Sequence, residues 1–377
     1  MENKKKPVTI LTGYLGAGKT TVLNELLRKR DAGKLAIVVN DMGKINVDAS
    51  ILKKGTLLEA DQKMIELSNG CICCTLQDTF MKQIELLARQ DGIERILVEA
   101  SGISDPSSIA SGFLEYQAMG LCEDVYLDSI VCVADADRIY SEFLQELADS
   151  QEEQENQENQ ADQVDQDPDI INLVMDQIEF CNIILLNKCD LLPEEALQEV
   201  RRTLRILQKE AEIVECVQGN VNPERIFQNQ PFDFERVLQS SRIQEQLSGK
   251  NHGSLEDEHG FTSFVYEEKR PFDYNRFMEF LEKDYPESII RAKGYVWFQD
   301  DDMHVQLFEQ AGRNASVTIV SNWVAAFPED EKQRLMEENP EIAETWDETY
   351  GDRMNQIVFI GRQISEENIT ERLRQCH

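Results

Sequence analysis

Apolar and polar positions over the first 235 residues switch repeatedly between two periods. Val8-Thr9-Ile10-Leu11-Thr12, Leu35-Ala36-Ile37-Val38-Val39, Ile96-Leu97-Val98, Ser129-Ile130-Val131-Cys132-Val133 and Ile183-Ile184-Leu185-Leu186 are short and β-branched, as buried strands are. Between them run helical spacings: Val22, Leu23, Leu26 and Leu27, then Leu76, Phe80, Ile84 and Leu87 on one face. Further helices are predicted near 169–179, 194–208 and from Pro223, with a short strand at 212–217. Strands alternating with helices call for a parallel sheet covered on both faces. Residues 44–68 show no strong period and read as a mobile loop.

Beyond residue 235 the pattern changes. Residues 236–259 carry few core signals and read as a linker. Strands then follow one another, at 261–267, 289–298, 305–309, 316–320 and 356–361, with helices near 272–283, 329–338 and 364–375. Direct succession of strands predicts a largely antiparallel sheet. The expected organisation is an α/β domain over 1–235, a linker over 236–259 and a smaller α+β domain over 260–377.

The first strand leads into Gly13-Tyr14-Leu15-Gly16-Ala17-Gly18-Lys19-Thr20, followed at once by Thr21 and a helix. This fits G-x-x-x-x-G-K-[ST], the phosphate-binding loop of P-loop NTPases. Gly13, Gly16 and Gly18 let the backbone curl, so that N–H groups, that of Ala17 included, point at phosphate oxygens. The helix start adds its positive dipole end. Lys19 is expected on the β- and γ-phosphates, and the Thr20 hydroxyl on Mg²⁺. Such a site needs an acid at a nearby strand end. Glu99, ahead of Ala100-Ser101-Gly102, is preferred to Asp135, because the Gly102 N–H is then placed to sense the γ-phosphate. Glutamate is a methylene longer than aspartate, so contact with Mg²⁺ through water is expected.

Asn187-Lys188-Cys189-Asp190 follows a buried strand and fits the guanine-reading pattern N-K-x-D. A carboxylate at 190 accepts from both N1–H and the 2-amino group of guanine. Adenine leaves it unpaired, at a cost of about 1–3 kcal/mol. Lys188 is expected along the purine, and Asn187 to stitch this loop to the phosphate loop. Cys71, Cys73 and Cys74 place three thiols within four residues, enough for three ligands of a tetrahedral Zn²⁺ site; thiolates also suit Cu(I). Asp41 is a candidate fourth ligand. The cluster falls between the loop after the second strand and Glu99, so metal and nucleotide are expected to be coupled.

Composition narrows the partners. A formal charge of −33 argues against nucleic acid or an anionic membrane, both of which need a basic face. No apolar run approaches a membrane span, and no apolar segment of a signal peptide precedes the first strand. Nine cysteines, an odd number, point to reduced thiols and a cytoplasmic location. Residues 150–168 are Gln-, Glu-, Asn- and Asp-rich and read as a solvated insertion. The remaining cysteines read as core residues, and Cys376-His377 as a frayed tail.

In their order, Gly13–Thr20, Gly70-Cys71-Ile72-Cys73-Cys74, Glu99–Gly102 and Asn187–Asp190 resemble the CobW-type GTPases, a family of metallochaperones that includes zinc-delivery proteins. Val39–Gly43 with Asn46-Val47-Asp48 resembles that family's segment after strand two. Gly294–Phe298 and Asp352–Gly361 resemble its C-terminal domain. The resemblance implies a slow, Mg²⁺-dependent GTPase that binds zinc at Cys71, Cys73 and Cys74 and delivers it to a client metalloprotein as GTP becomes GDP. Cobalt insertion, linked to cobalamin in some members, is the alternative with Co²⁺ as cargo, and a nucleotide-gated thiol redox sensor is another. A homodimer is left open. Two departures stand out. Only His252 and His259 occupy the linker, where many members carry a histidine tract, and Lys44 stands where many have an acid.

Overall fold

The computed structural model describes residues 5–29, 35–40, 64–67, 77–145, 168–247, 255–256, 261–312 and 314–377. Cys71, Cys73, Cys74, Asp41, Lys44, His252, His259 and nearly all of the acidic stretch 150–168 lie outside the described residues. The described residues fall into two compact units: those of Met1–Leu144 with Leu173–Arg242, and those of Gln145–Asn172 with Ile243–His377.

The first unit is a doubly wound sheet. Its strands are β1 (Lys6–Thr12), β2 (Leu35–Asn40), β3 (Met64–Leu67), β4 (Arg95–Glu99), β5 (Val125–Asp135), β6 (Ile183–Asn187) and β7 (Glu212–Glu215). They lie in the order β3-β2-β4-β1-β5-β6-β7, every pairing parallel. The helices are α1 (Lys19–Lys29), α2 (Gln77–Ala88), α3 (Pro106–Ala118), α4 (Ala136–Ile139, continued as a π-turn to Gln145), α5 (Pro168–Glu179), α6 (Glu194–Leu207), α7 (Pro223–Ile226) and α8 (Phe234–Ser240). Apolar periodicity explains the packing of α1, whose Val22, Leu23 and Leu26 are fully buried against Ile37, Val39 and Leu185. In α2, Phe80, Ile84 and Leu87 are buried as their spacing predicts.

Four elements depart from the sequence reading. Met64–Leu67, inside the stretch read as a loop, pairs in parallel with β2 and gives that strand's outer backbone groups partners. Helix α3 was not anticipated, because its apolar side is diluted by Ser, Gly and Ala. Its start was nevertheless written as Asp105-Pro106: the Asp105 carboxylate caps the Ser107 and Ser108 N–H groups, and proline fits the first turn. Within the stretch read as a linker, the described residues up to Leu247 lie in or between α8 and α9 (Arg242–Leu247), because Val237 and Ile243 are apolar enough to be buried.

The second unit is an antiparallel sheet of β8 (Leu255–Glu256), β9 (Phe261–Glu268), β10 (Ile289–Val296), β11 (His304–Ala311), β12 (Asn314–Asn322) and β13 (Asn355–Arg362), ordered β12-β11-β10-β13-β9-β8. Its helices are α10 (Tyr274–Glu279), α11 (Glu329–Glu338), α12 (Pro340–Glu344) and α13 (Glu366–Arg374). One face holds a core of rings. Phe277 stands edge-on to Phe308, with centroids 5.4 Å apart, and Phe264 stacks on Phe359 at 5.3 Å. The chain end is packed rather than frayed: Cys376 is buried, and the His377 ring stacks on Phe272 at 4.7 Å. His377 also bonds the Tyr266 hydroxyl at 2.9 Å and the Pro271 carbonyl at 2.9 Å. Ring stacking and two hydrogen bonds outweigh the entropy of a free terminus.

Candidate nucleotide site

The carboxyl ends of β1, β4, β5, β6 and β7 converge on one edge of the parallel sheet, the place where doubly wound folds bind ligands. The loop after β1 curls because Gly13 and Gly18 take positive φ of 132° and 105°. A Cβ at Gly13 would strike the Val133 carbonyl, and one at Gly18 would strike the Asn187 amide nitrogen. Lys19, 8% exposed, closes the curl by donating to the Gly13 carbonyl at 2.7 Å and the Tyr14 carbonyl at 3.2 Å. Gly16, Ala17 and Thr21 complete the run, with the Ala17 N–H donating to Tyr14 O at 3.2 Å.

Opposite the start of α1, the Thr20 hydroxyl donates to Glu99 Oε1 at 2.9 Å, and Glu99 is 2% exposed. A hydroxyl and a buried carboxylate at the head of a phosphate loop form a hard-oxygen pair of the kind Mg²⁺ accepts. The other acid weighed at the sequence level, Asp135, lies elsewhere. It accepts from Lys188 Nζ at 2.6 Å and caps α4 through the Arg138 N–H. Gly102, just after β4, lies flush on the phosphate loop, since a Cβ there would sit 2.8 Å from Leu15 Cδ2 and 2.9 Å from Leu15 N.

Asn187 ties the site together. Its Nδ2 donates to the Ala17 carbonyl at 2.9 Å, while its Oδ1 accepts from the Gly219 N–H at 3.1 Å. Lys188 adopts a left-handed φ of 62°, which turns the chain so that Asp190 enters a short 3₁₀ turn. Asn187, Lys188 and Asp190 line a cavity of about 590 Å³ together with Gly16, Gly18 and Gln218. That volume suits a nucleoside. Gln218 and Gly219, in the loop after β7, escaped the sequence reading, because Val217-Gln218-Gly219-Asn220 fits no motif applied to it; the glycine behind a short strand was the available signal.

Two buried cysteines of this unit are held in the thiol form by their surroundings. Burial, reinforced by nearby Cys189, pushes the Cys216 thiol up to about 12, and burial together with nearby Glu85 pushes Cys122 up to about 11. Among the described residues no three His, Cys, Asp or Glu side chains are grouped to share a metal ion. No described helix is long and apolar enough to cross a membrane.

Known proteins resemble the chain along nearly its whole length. A family model described as CobW/HypB/UreG, nucleotide-binding domain, matches residues 7–215, and one described as cobalamin synthesis protein cobW C-terminal domain matches residues 261–377. Zinc-regulated GTPase metalloprotein activator 1 of Dictyostelium discoideum is 30% identical over 388 residues, spanning 99% of this chain and 80% of that protein. Zinc chaperone CobW of Pseudomonas aeruginosa is 33% identical over 223 residues, 58% of each chain. Zinc chaperone YjiA of Escherichia coli is 25% identical over 373 residues, 96% of each.

Proposed function

The chain belongs to the CobW/HypB/UreG family, and on that premise we propose that it is a GTP-hydrolysing zinc chaperone whose nucleotide state controls release of Zn²⁺ to a client protein. The observation that carries the nucleotide half is Asn187 bridging Ala17 and Gly219, because it joins base-reading and phosphate-reading loops in one frame. The relatives' names, with zinc in each, support the cargo.

In this reading Asp190 accepts from the guanine edge, and Lys188, steadied by Asp135, lies along the purine. The amides of Gly13–Thr20 and the Lys19 ammonium stabilise charge that builds on the leaving phosphate oxygens. Thr20 and Glu99 would hold Mg²⁺, which would supply positive charge against the β- and γ-phosphates. The Gly102 N–H senses the γ-phosphate. Zn²⁺ is carried by Cys71, Cys73 and Cys74, with Asp41 a candidate for the fourth position, and loss of the γ-phosphate relaxes the hold on the ion.

The test is an anaerobic titration of the reduced protein with Zn²⁺ and with Co²⁺, in GTP, GDP or no nucleotide. Thiolate-to-cobalt absorption reports the ligands. The expected result is a metal affinity that differs between GTP and GDP, lost together with metal-responsive GTP turnover in Cys73→Ala. Intact zinc affinity and intact zinc-responsive turnover in that variant would sink the proposal.

A further inference from the structure

Helix α5 carries a side chain that the motifs above do not use. Gln177 is 1% exposed, and its Nε2 donates to the Gly102 carbonyl at 3.1 Å and to the Ser104 carbonyl at 3.1 Å. These carbonyls flank one turn, which is closed locally by the Ser104 N–H on the Ser101 carbonyl at 3.0 Å and by the Ile103 N–H on Ser101 Oγ at 3.5 Å. Those local bonds shape the turn without saying where it sits. Gln177 says where, because one planar amide can satisfy both carbonyls in a single placement of the turn.

That placement matters for Gly102. Fixing the Gly102 carbonyl fixes the peptide plane that follows it. At Gly102 the turn rests on Leu15 of the phosphate loop, where a Cβ would sit 2.8 Å from Leu15 Cδ2, so the placement of the turn also sets where the preceding peptide, which carries the Gly102 N–H, meets that loop. We infer that Gln177 is a positioning residue for γ-phosphate recognition, holding the Gly102–Ser104 turn at the height where the Gly102 N–H meets the third phosphate. The inference rests on the reading of Gly102 given above. Nothing in it concerns GDP, whose phosphates end before this turn.

The chemistry of the amide makes the role specific. Gln177 Oε1 accepts no hydrogen bond among the described residues, so the side chain acts through its two donors. A cavity of about 20 Å³, lined by Tyr14, Leu15, Val133, Arg138 and Val174, adjoins it and leaves room for substitutes of similar length. Gln177→Met keeps the volume and removes both donors. Gln177→Glu places a carboxylate against two carbonyls when ionised, but its protonated form regains one donor.

The experiment measures Mg²⁺-dependent affinity for GDP and for a non-hydrolysable β,γ-imido GTP analogue, with GTP turnover, in the full-length chain and both variants. Expected is an unchanged GDP affinity, with analogue affinity and kcat lowered by about tenfold to a hundredfold, the usual effect of misplacing a contact by an ångström. Turnover of Gln177→Glu should recover relative to wild type as pH falls, because protonation restores a donor. Equal losses for GDP and analogue, or no loss of either, would overturn the inference. If the wild-type chain fails to distinguish the analogue from GDP, the reading of Gly102 falls with it. Wild-type discrimination that both variants retain overturns Gln177's role alone.

Discussion

In the nucleotide unit the sheet is buried by aliphatic side chains such as Val8, Ile10, Val38, Leu97, Val98 and Ile184, and the buried polar side chains Thr12, Glu99 and Asn187 stand at the strand ends. In the C-terminal unit the core is a pile of rings, Phe264, Phe272, Phe277, Phe298, Phe308 and Phe359. The contrast follows from topology. A parallel sheet needs a crossover for each strand, so its loops gather at one edge and can carry chemistry. An antiparallel sheet returns by short hairpins and offers a broad face, which rings fill with offset and edge contacts. The first unit accordingly gathers side-chain hydrogen bonds such as Thr20–Glu99 and Asn187–Ala17 at that edge, and the second concentrates ring packing.

The largest expected effect lies in the ring core. Phe277→Ala should cost about 3–5 kcal/mol, the range for emptying a buried aromatic site. Unfolding monitored by the tryptophans of the second unit, all three in the chain, should shift to lower denaturant while GDP affinity holds. Loss of GDP affinity in that variant would break the division of labour drawn above.

The converse substitution is Lys19→Ala, expected to lower kcat for GTP by about 10²–10³-fold, the range for removing one preorganised charge stabiliser. Phosphate release measures it, and the tryptophan-reported unfolding should stay where it was.

The smallest effect is a pH dependence confined to the C-terminal unit. Burial lowers the affinity of His377 for a proton, with the Pro271 carbonyl and Glu268 opposing and Arg270 assisting. The folded state therefore prefers neutral imidazole and binds fewer protons than the unfolded chain. Its contribution is present in full above the ordinary histidine pKa of about 6.5 and is lost as pH falls from there through the lower folded value. The unfolding midpoint of the C-terminal unit should drop between about pH 7 and pH 5, and His377→Phe should flatten that slope. An unchanged slope would mean that other groups set the acid limit.

How much of this was legible depended on whether a feature is local in the chain. Gly13–Thr20 and Asn187–Asp190 can be read because a backbone curl and a base edge each demand particular residues a few positions apart. The covered parallel sheet follows from alternating periods, and the second sheet from strands in succession. The Asp135–Lys188 pair spans 53 positions and Gln177 reaches back 75, so no spacing announces them. His377 was misread for the same reason: Tyr266 and Pro271, which hold it, are more than a hundred residues upstream.

The bridge made by Asn187 reaches beyond affinity. Because the same amide holds Ala17 and Gly219, a displacement of the turn after β6 is passed directly to the loop after β1. On the proposed reading of Asp190, an adenine nucleotide would then suffer twice, once in residence time and again in the registration of its reacting end.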